Sequence, residues 1–253
     1  MKPMVIAAPN GARRGKSDHP NLPLTVGEIA AEAVACQQAG ASVFHLHVRS
    51  NSGEHSLDPG RYLAAIEAIS DAAEDMVVQI TTESAGMFDL ATQIACVKAV
   101  RPESVSVAWR EFSPESSHDA RQFYGWASDE GIHVQHILYS PEDITRFRAF
   151  GMRAQSVLLV LGEYQGEAAQ VADLPAYLAA MGGVRDWCVC AFGRNEHAVV
   201  TAAMEAGGHA RVGFENNLWL QDGSIAKNTA ALVAQIKQEK ANANEVRKLW
   251  HLT

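Results

Sequence analysis

The chain has 253 residues, 47% hydrophobic and 20% charged, with 21 basic against 29 acidic side chains and a net charge of −8. That length suits one large α/β domain or two small ones, the composition excludes a disordered chain, and the acidic balance argues against an electrostatic nucleic-acid binder. No run reaches the roughly eighteen apolar residues of a membrane span, so neither a nucleic acid nor a membrane is expected as a partner.

Taken in chain order, apolar runs at Met4–Ala8, Val43–Val48, Met76–Thr81, Ser104–Ala108, His133–Tyr139, Ser156–Leu161, Trp187–Ala191 and Arg211–Phe214 read as strands. The opening MKPMVIAAPNGARRG reads as the first of them rather than as a leader, because basic residues and a glycine turn follow its short apolar stretch. A first helix opens at Thr25 with Glu28 at capping-box spacing, repeats Ile29, Ala33 and Cys36 at helical intervals, and ends at Gly40. Further helical patterns are MFDLATQIACVKAV, SPEDITRFRAFG, EAAQVADLPAYLAAMGG, NEHAVVTAAMEAGG and IAKNTAALVAQIKQEK.

Strands separated by helices pair in parallel, since a parallel connection needs a crossover of about a dozen residues. Eight such units predict an α/β fold, a single (β/α)8 TIM-type barrel over residues 1–253. A doubly wound open sheet is the rival. It loses weight because neither G-x-G-x-x-G after the first strand nor G-x-x-x-x-G-K is present. In a barrel the chemistry lies at the C-terminal ends of the strands and in the loops beyond them. The four cysteines, Cys36, Cys96, Cys188 and Cys190, lack C-x-x-C spacing and read as buried or half-buried free thiols of a reducing, cytoplasmic compartment.

Phe44-His45-Leu46-His47-Val48-Arg49 ends the second strand. Side chains two apart on a strand share a face, so His45 and His47 point together into the barrel mouth, where two imidazoles can hold one Zn²⁺. A third ligand is expected from another strand end, and Glu215, where the eighth strand runs into polar residues, is the candidate. The alternative is a structural pair of histidines bonded to backbone. His19, His55, His118, His197 and His251 read as loop or helix-surface residues, His209 as a turn residue, and His136 as a side chain able to face the mouth. The first strand leads into the basic loop Pro9–Lys16, with Asn10 and Arg13, which reads as an anion clamp or a solvated turn. The third strand ends in the hydroxyl-rich Thr81-Thr82-Glu83-Ser84, and Arg211 opens the eighth, where a barrel-bottom ion pair is its alternative role.

The stretches PNLPLTVGEIAAEAVACQQAGASVFHLHVR, QITTESAG and GGHARVGFENNLWL resemble the β-keto acid cleavage enzymes, from the N-terminus to about Leu220. The resemblance implies a zinc-dependent barrel that exchanges a β-keto acid and acetyl-CoA for acetoacetate and a new CoA thioester. It also implies a homo-oligomer, dimer or tetramer, with one zinc per subunit. His45, His47 and Glu215 would be its ligands, Arg211 the catalytic arginine, and Thr81, with Thr82 and Arg49 nearby, part of the substrate site. Three departures stand out. The family's Glu-Asp-Asn is here Glu215-Asn216-Asn217, so its general base is an amide that cannot take a proton. Its P-E-x-E on the fifth strand is here Val134-Gln135-His136-Ile137, which leaves His136 or Glu83 for proton transfer. A family glutamate that holds a substrate amine is here Arg13, which predicts a keto acid with an anionic distal end. The chain is also short, so a loop of the CoA site is expected to be trimmed. A metal-dependent hydrolase on the same barrel and a non-catalytic relative that binds metal and keto acid are the alternative functions.

Overall fold

The computed structural model describes residues 2–151, 156–164 and 166–252. Eight parallel strands close into a barrel: β1 (Val5–Ala7), β2 (Val43–Leu46), β5 (Val77–Thr81), β6 (Ser104–Ala108), β7 (His133–Leu138), β8 (Ser156–Leu161), β9 (Asp186–Ala191) and β10 (His209–Val212). Between the second and third of them lies a small antiparallel hairpin of β3 (Val48–Arg49) and β4 (His55–Ser56), which the sequence pattern did not announce. The predicted second strand therefore stops at Leu46, and His47 sits at the break where the chain leaves the barrel wall for the hairpin. None of the helices of the described residues is long and apolar enough to cross a membrane.

Alternation along each strand sorts the apolar residues into two cores. Val5, Ala7, Phe44, Leu46, Val78 and Ile80 face outward to the helices, whereas Ile6, Val43, Val77, Leu158, Cys188 and Cys190 fill the barrel. All four cysteines are buried free thiols. The outer layer contains α1 (Val26–Gln38), α2 (Pro59–Ala72), α3 (Leu90–Val100), α4 (Trp109–Phe112), α5 (His118–Asp129), α6 (Pro141–Phe150), α7 (Leu174–Met181), α8 (Glu196–Glu205), α9 (Thr229–Gln235) and α10 (Ala243–Trp250). The predicted capping box at Thr25 and Glu28 forms as expected. α2 and α5 have capped starts at Asp58 and Ser117 that the sequence pattern passed over. The helix expected over 167–183 shrinks to a 3-10 turn (Val171–Asp173) and α7, because Pro175 sets a start rather than an interior position. The last predicted helix, 225–240, keeps only α9, since Ile225 bridges to Trp219 and Asn228 caps the helix. Val246 and Trp250 of α10 join the inner core.

β10 begins two residues earlier than predicted. His209 is its first residue rather than a turn residue, and its Nδ1 accepts the Met4 amide at 3.1 Å. The strand ends at Val212, and the next residue is Gly213, whose φ of +148° is rarely open to side chains; a Cβ there would run into the Ala8 carbonyl oxygen. That close approach lets the chain turn from β10 into the segment carrying Glu215. Gly213→Ala is expected to destabilise the protein by about 3 kcal/mol or more, from backbone strain and overpacking together, read as a fall in the urea midpoint.

Candidate metal centre and cavity

His45 points into the barrel from β2 and His47 reaches the same place from the break after it, their Nε2 atoms 3.1 Å apart. Glu215 Oε2 lies 3.6 Å from His45 Nε2 and 3.5 Å from His47 Nε2. These three donors lie within 4.8 Å of one another. Tetrahedral zinc with bonds of 2.0–2.2 Å separates its ligand atoms by about 3.3–3.6 Å, a range that both Glu215 distances meet and that the two imidazole nitrogens reach by parting slightly. Glu215 Oε2 is buried and has no hydrogen-bond partner among the described residues, which a cation between the three groups would supply.

The surroundings keep His45 and Glu215 in the right ionic form. Burial holds the His45 imidazole at a pKa of about 3, so it stays neutral with a lone pair available. Burial alone would raise the Glu215 carboxyl. Arg211, whose Nη2 lies 3.1 Å from Glu215 Oε1, overcomes that and holds it well below the usual carboxylate range. Arg211 thus points to the mouth, and the barrel-bottom ion pair is not formed. Its Nη2 also lies 3.4 Å from Cys190 Sγ, and its Nε and Nη1 have no partner among the described residues.

Gln79 on β5 lies beside His45 in the barrel register, and its Oε1 is 2.9 Å from His45 Nδ1. Its Nε2 donates to Ser104 Oγ and Gln135 Oε1, both at 3.3 Å, which fixes the amide so that oxygen faces the imidazole. His45 then carries its proton on Nδ1 and offers Nε2 to the metal. Gln79→Leu is expected to weaken zinc binding by about 10–100-fold with little change in fold, read by chelator competition.

Glu83 stands beside His47, its Oε2 4.0 Å from Nδ1, and Arg13 Nε is 3.8 Å from its Oε1. Burial lifts the Glu83 carboxyl above its ordinary value against the pull of His47 and Arg13. Thr81 Oγ1 accepts the Glu83 amide at 3.0 Å. His45, Glu215, Arg211, Glu83, Thr81 and Arg13 all line one cavity of about 680 Å³.

Other expected residues go elsewhere. His136 lies on the outer face of β7, its ring against Trp109, Tyr124 and Phe147, because Gln135 takes the inward position. Asn10 is buried and donates to the Pro23 and His47 carbonyls, both at 3.0 Å. Thr82 Oγ1 donates to the Ser106 carbonyl at 3.1 Å. The Arg49 guanidinium grips the carbonyls of Asn10, Gly11, Arg14 and Gly53. These three bind backbone where substrate contacts were expected. Asn216 is buried, its backbone carbonyl accepting from Gly193, and its side-chain amide has no partner among the described residues. His19 and His55 are buried rather than on the surface. His19 packs on Phe214, and His55 packs on His47 with its Nε2 2.7 Å from the Glu83 carbonyl oxygen. Sequence reasoning missed Gln79, Arg110, Glu111, Tyr139 and Tyr164. Arg110 and Tyr139 follow strand ends, so the strand-end rule reaches them. Tyr164, on the loop after β8, carries no such signal.

Residues 2–247 match the beta-keto acid cleavage enzyme family. The chain is 28% identical to a 3-keto-5-aminohexanoate cleavage enzyme of Fusobacterium nucleatum, over 99% of this chain and 98% of that one. It is 26% identical to a 3-oxoadipate:acetyl-CoA acetyltransferase of Cupriavidus necator, over 93% of this chain and 87% of that one. In fold it resembles ObcA in its apo structure, with a TM-score of 0.71 and 16% identity, over 92% of this chain and 66% of ObcA. With the barrel, the His-His-Glu cluster at its mouth and a match that runs nearly end to end, the chain belongs to the beta-keto acid cleavage enzyme family.

Proposed function

We propose that the protein is a zinc-dependent β-keto acid cleavage enzyme that uses acetyl-CoA and acts on a keto acid with an anionic distal group. The observation that carries this is the His45–His47–Glu215 cluster, spaced for zinc, with the Arg211 guanidinium against it in a cavity at the strand ends. The names of the two relatives support the reaction class, one a cleavage enzyme and the other a transferase that pairs a keto dicarboxylic acid with acetyl-CoA.

His45, His47 and Glu215 would hold the zinc, which when bound supplies Lewis acidity toward the keto and carboxylate oxygens. Glu83 is the proton acceptor of this reading. It stands in the cavity wall, burial has made it more basic than an ordinary carboxylate, and an amide occupies the position of the family's aspartate. Arg211 keeps Nε and Nη1 free of partners among the described residues and offers fixed positive charge where an enolate develops. Thr81 accepts the Glu83 amide and keeps its own hydroxyl proton to donate to substrate. Overall the bond between the keto carbon and the methylene breaks. The acetate unit leaves with the acetyl group of acetyl-CoA as acetoacetate, and the remaining acyl group takes the CoA sulfur. The protein is further proposed to be cytoplasmic and a homo-oligomer, dimer or tetramer.

The test incubates zinc-loaded protein with a panel of neutral and dicarboxylic β-keto acids and acetyl-CoA, and follows acetoacetate and the new CoA ester. Formation of both, lost in Glu83→Gln, bears out the reading. Zinc bound with no product across the panel leaves a binding protein instead, the outcome that Asn216 favours.

A further inference from the structure

Arg110, in the short helix α4 just past the end of β6, lines the same cavity as His45 and Arg211. Its guanidinium carbon lies 3.5 Å from the centre of the Tyr139 ring, close enough for a planar cation stacked on an aromatic face. Tyr139 is itself held in place. Its amide donates to Asp143 Oδ2 at 3.1 Å and its carbonyl accepts the Tyr177 hydroxyl at 2.8 Å. Burial pushes the Tyr139 phenol up, opposed by both Arg110 and Arg211 and reinforced by Glu83 and Glu111. Tyr139 therefore lies in the field of Arg110 and of the arginine at the metal centre together.

The cavity's arginines differ in what they are committed to. Arg211 is paired with Glu215, and Arg13 lies 3.8 Å from Glu83. Arg110 has no carboxylate within ion-pair distance among the described residues. The acids near it are already engaged. Glu111 accepts from the Ser84 amide and hydroxyl and from Gln93 Nε2, while Asp143 accepts the Tyr139 amide and faces Arg146 at 3.6 Å. A guanidinium fixed by stacking loses little freedom on binding, and its fork of donors matches a carboxylate or phosphate.

We propose that Arg110, stacked on Tyr139 in the cavity wall, forms an anion subsite that binds a charged group of a substrate remote from the reacting carbons. The chemistry is shared by the distal carboxylate of a keto dicarboxylic acid and by the phosphates of CoA. The inference rests on the proposed keto acid cleavage. It also divides the cavity's positive charge: Arg13 balances Glu83, and Arg110 reads the ligand.

The experiment uses matched pairs on zinc-loaded wild type, Arg110→Met and Arg110→Lys. 3-Oxoadipate is compared with 3-oxohexanoate, which lacks the distal carboxylate, and acetyl-CoA with S-acetylpantetheine, which lacks the phosphates. Arg110→Met is expected to raise KM for one charged partner by tenfold or more, leaving kcat and the KM of its uncharged counterpart near wild type. Arg110→Lys, which keeps charge without the fork, should fall between. A rise confined to 3-oxoadipate makes the keto acid the source of the anion, and a rise confined to acetyl-CoA makes it the cofactor's phosphates. Unchanged KM for all four compounds overturns the subsite, as does an equal rise for charged and uncharged members of a pair. Wild type that turns over none of the four overturns the functional reading instead, so the two failures are told apart.

Discussion

His45→Ala is expected to yield folded protein that does not retain the stoichiometric zinc proposed for the wild type. Three donors make the cluster, and removing one leaves His47 and Glu215 alone. Structural zinc sites are worth about 10–16 kcal/mol over four ligands, so one ligand carries on the order of 3–4 kcal/mol, a loss of roughly 100–1,000-fold in affinity. Elemental analysis together with chelator competition measures it, and circular dichroism confirms that the barrel persists. Zinc content equal to wild type would remove His45 from the ligand set. The imidazole lies within the barrel, so the variant also leaves a cavity. That effect is separated by comparing melting temperatures without metal: the cavity lowers both apo and zinc-treated Tm, whereas only wild type gains stability on adding zinc.

Arg211→Met carries the second large effect, and its signature differs. The guanidinium is buried against Glu215 at 3.1 Å, so its removal strands a buried carboxylate and costs the metal-free protein about 3–5 kcal/mol. Glu215 is held low by Arg211 in wild type. The stability drawn from this pair is therefore present above the ordinary carboxylate pKa and is lost as pH falls through the depressed one. In the variant the Glu215 pKa rises, so part of that loss moves up toward ordinary carboxylate pH. A bound cation would neutralise Glu215 in place of the arginine, so the zinc-loaded variant is expected to lose less stability than the apo form. Turnover should fall by about 100–1,000-fold with zinc content retained, the scale of losing one preorganised charge at the reacting atoms. Full turnover in Arg211→Met would refute the electrostatic role, and loss of zinc would reassign Arg211 to holding Glu215 in place.

The His45–His47 pair was legible because strand alternation is a local rule, and it put His45 into the barrel even though the strand stops at Leu46. Glu215 was legible from the change to polar residues after Phe214. The same rule misplaced His136, because His133–Leu138 mixes polar and apolar residues on both faces and gives no phase. What settles that phase is Gln135, bonded to Gln79 across the intervening strand β6, a contact 56 residues apart in sequence. Arg49 and Asn10 failed for a related cause. Both are polar groups near a catalytic-looking motif, and only the folded chain shows that backbone carbonyls already occupy Asn10 Nδ2 and both terminal nitrogens of Arg49. Helix α2 escaped notice because Gly60 and Arg61 dilute its apolar stripe of Tyr62, Ala65 and Ile69. The helix is set by Asp58 at its cap and by packing against α1 instead.

The grip of Asn10 and Arg49 links two parts of the molecule that a chemist would treat separately. Asn10 holds the carbonyl of the ligand His47, and Arg49, two residues on, holds the carbonyls of Asn10, Gly11 and Arg14. The loop that carries Arg13 is therefore lashed at both ends to the segment that carries a metal donor. Gly11, within that loop, packs so closely on Glu215 that a single added carbon would collide with the side chain. A swing of this loop to admit or release a ligand strains His47 and Glu215 at once. If the cluster holds an ion as proposed, traffic through the mouth and retention of that ion would be one mechanical event, and the metal-free protein should have a looser doorway than the loaded one.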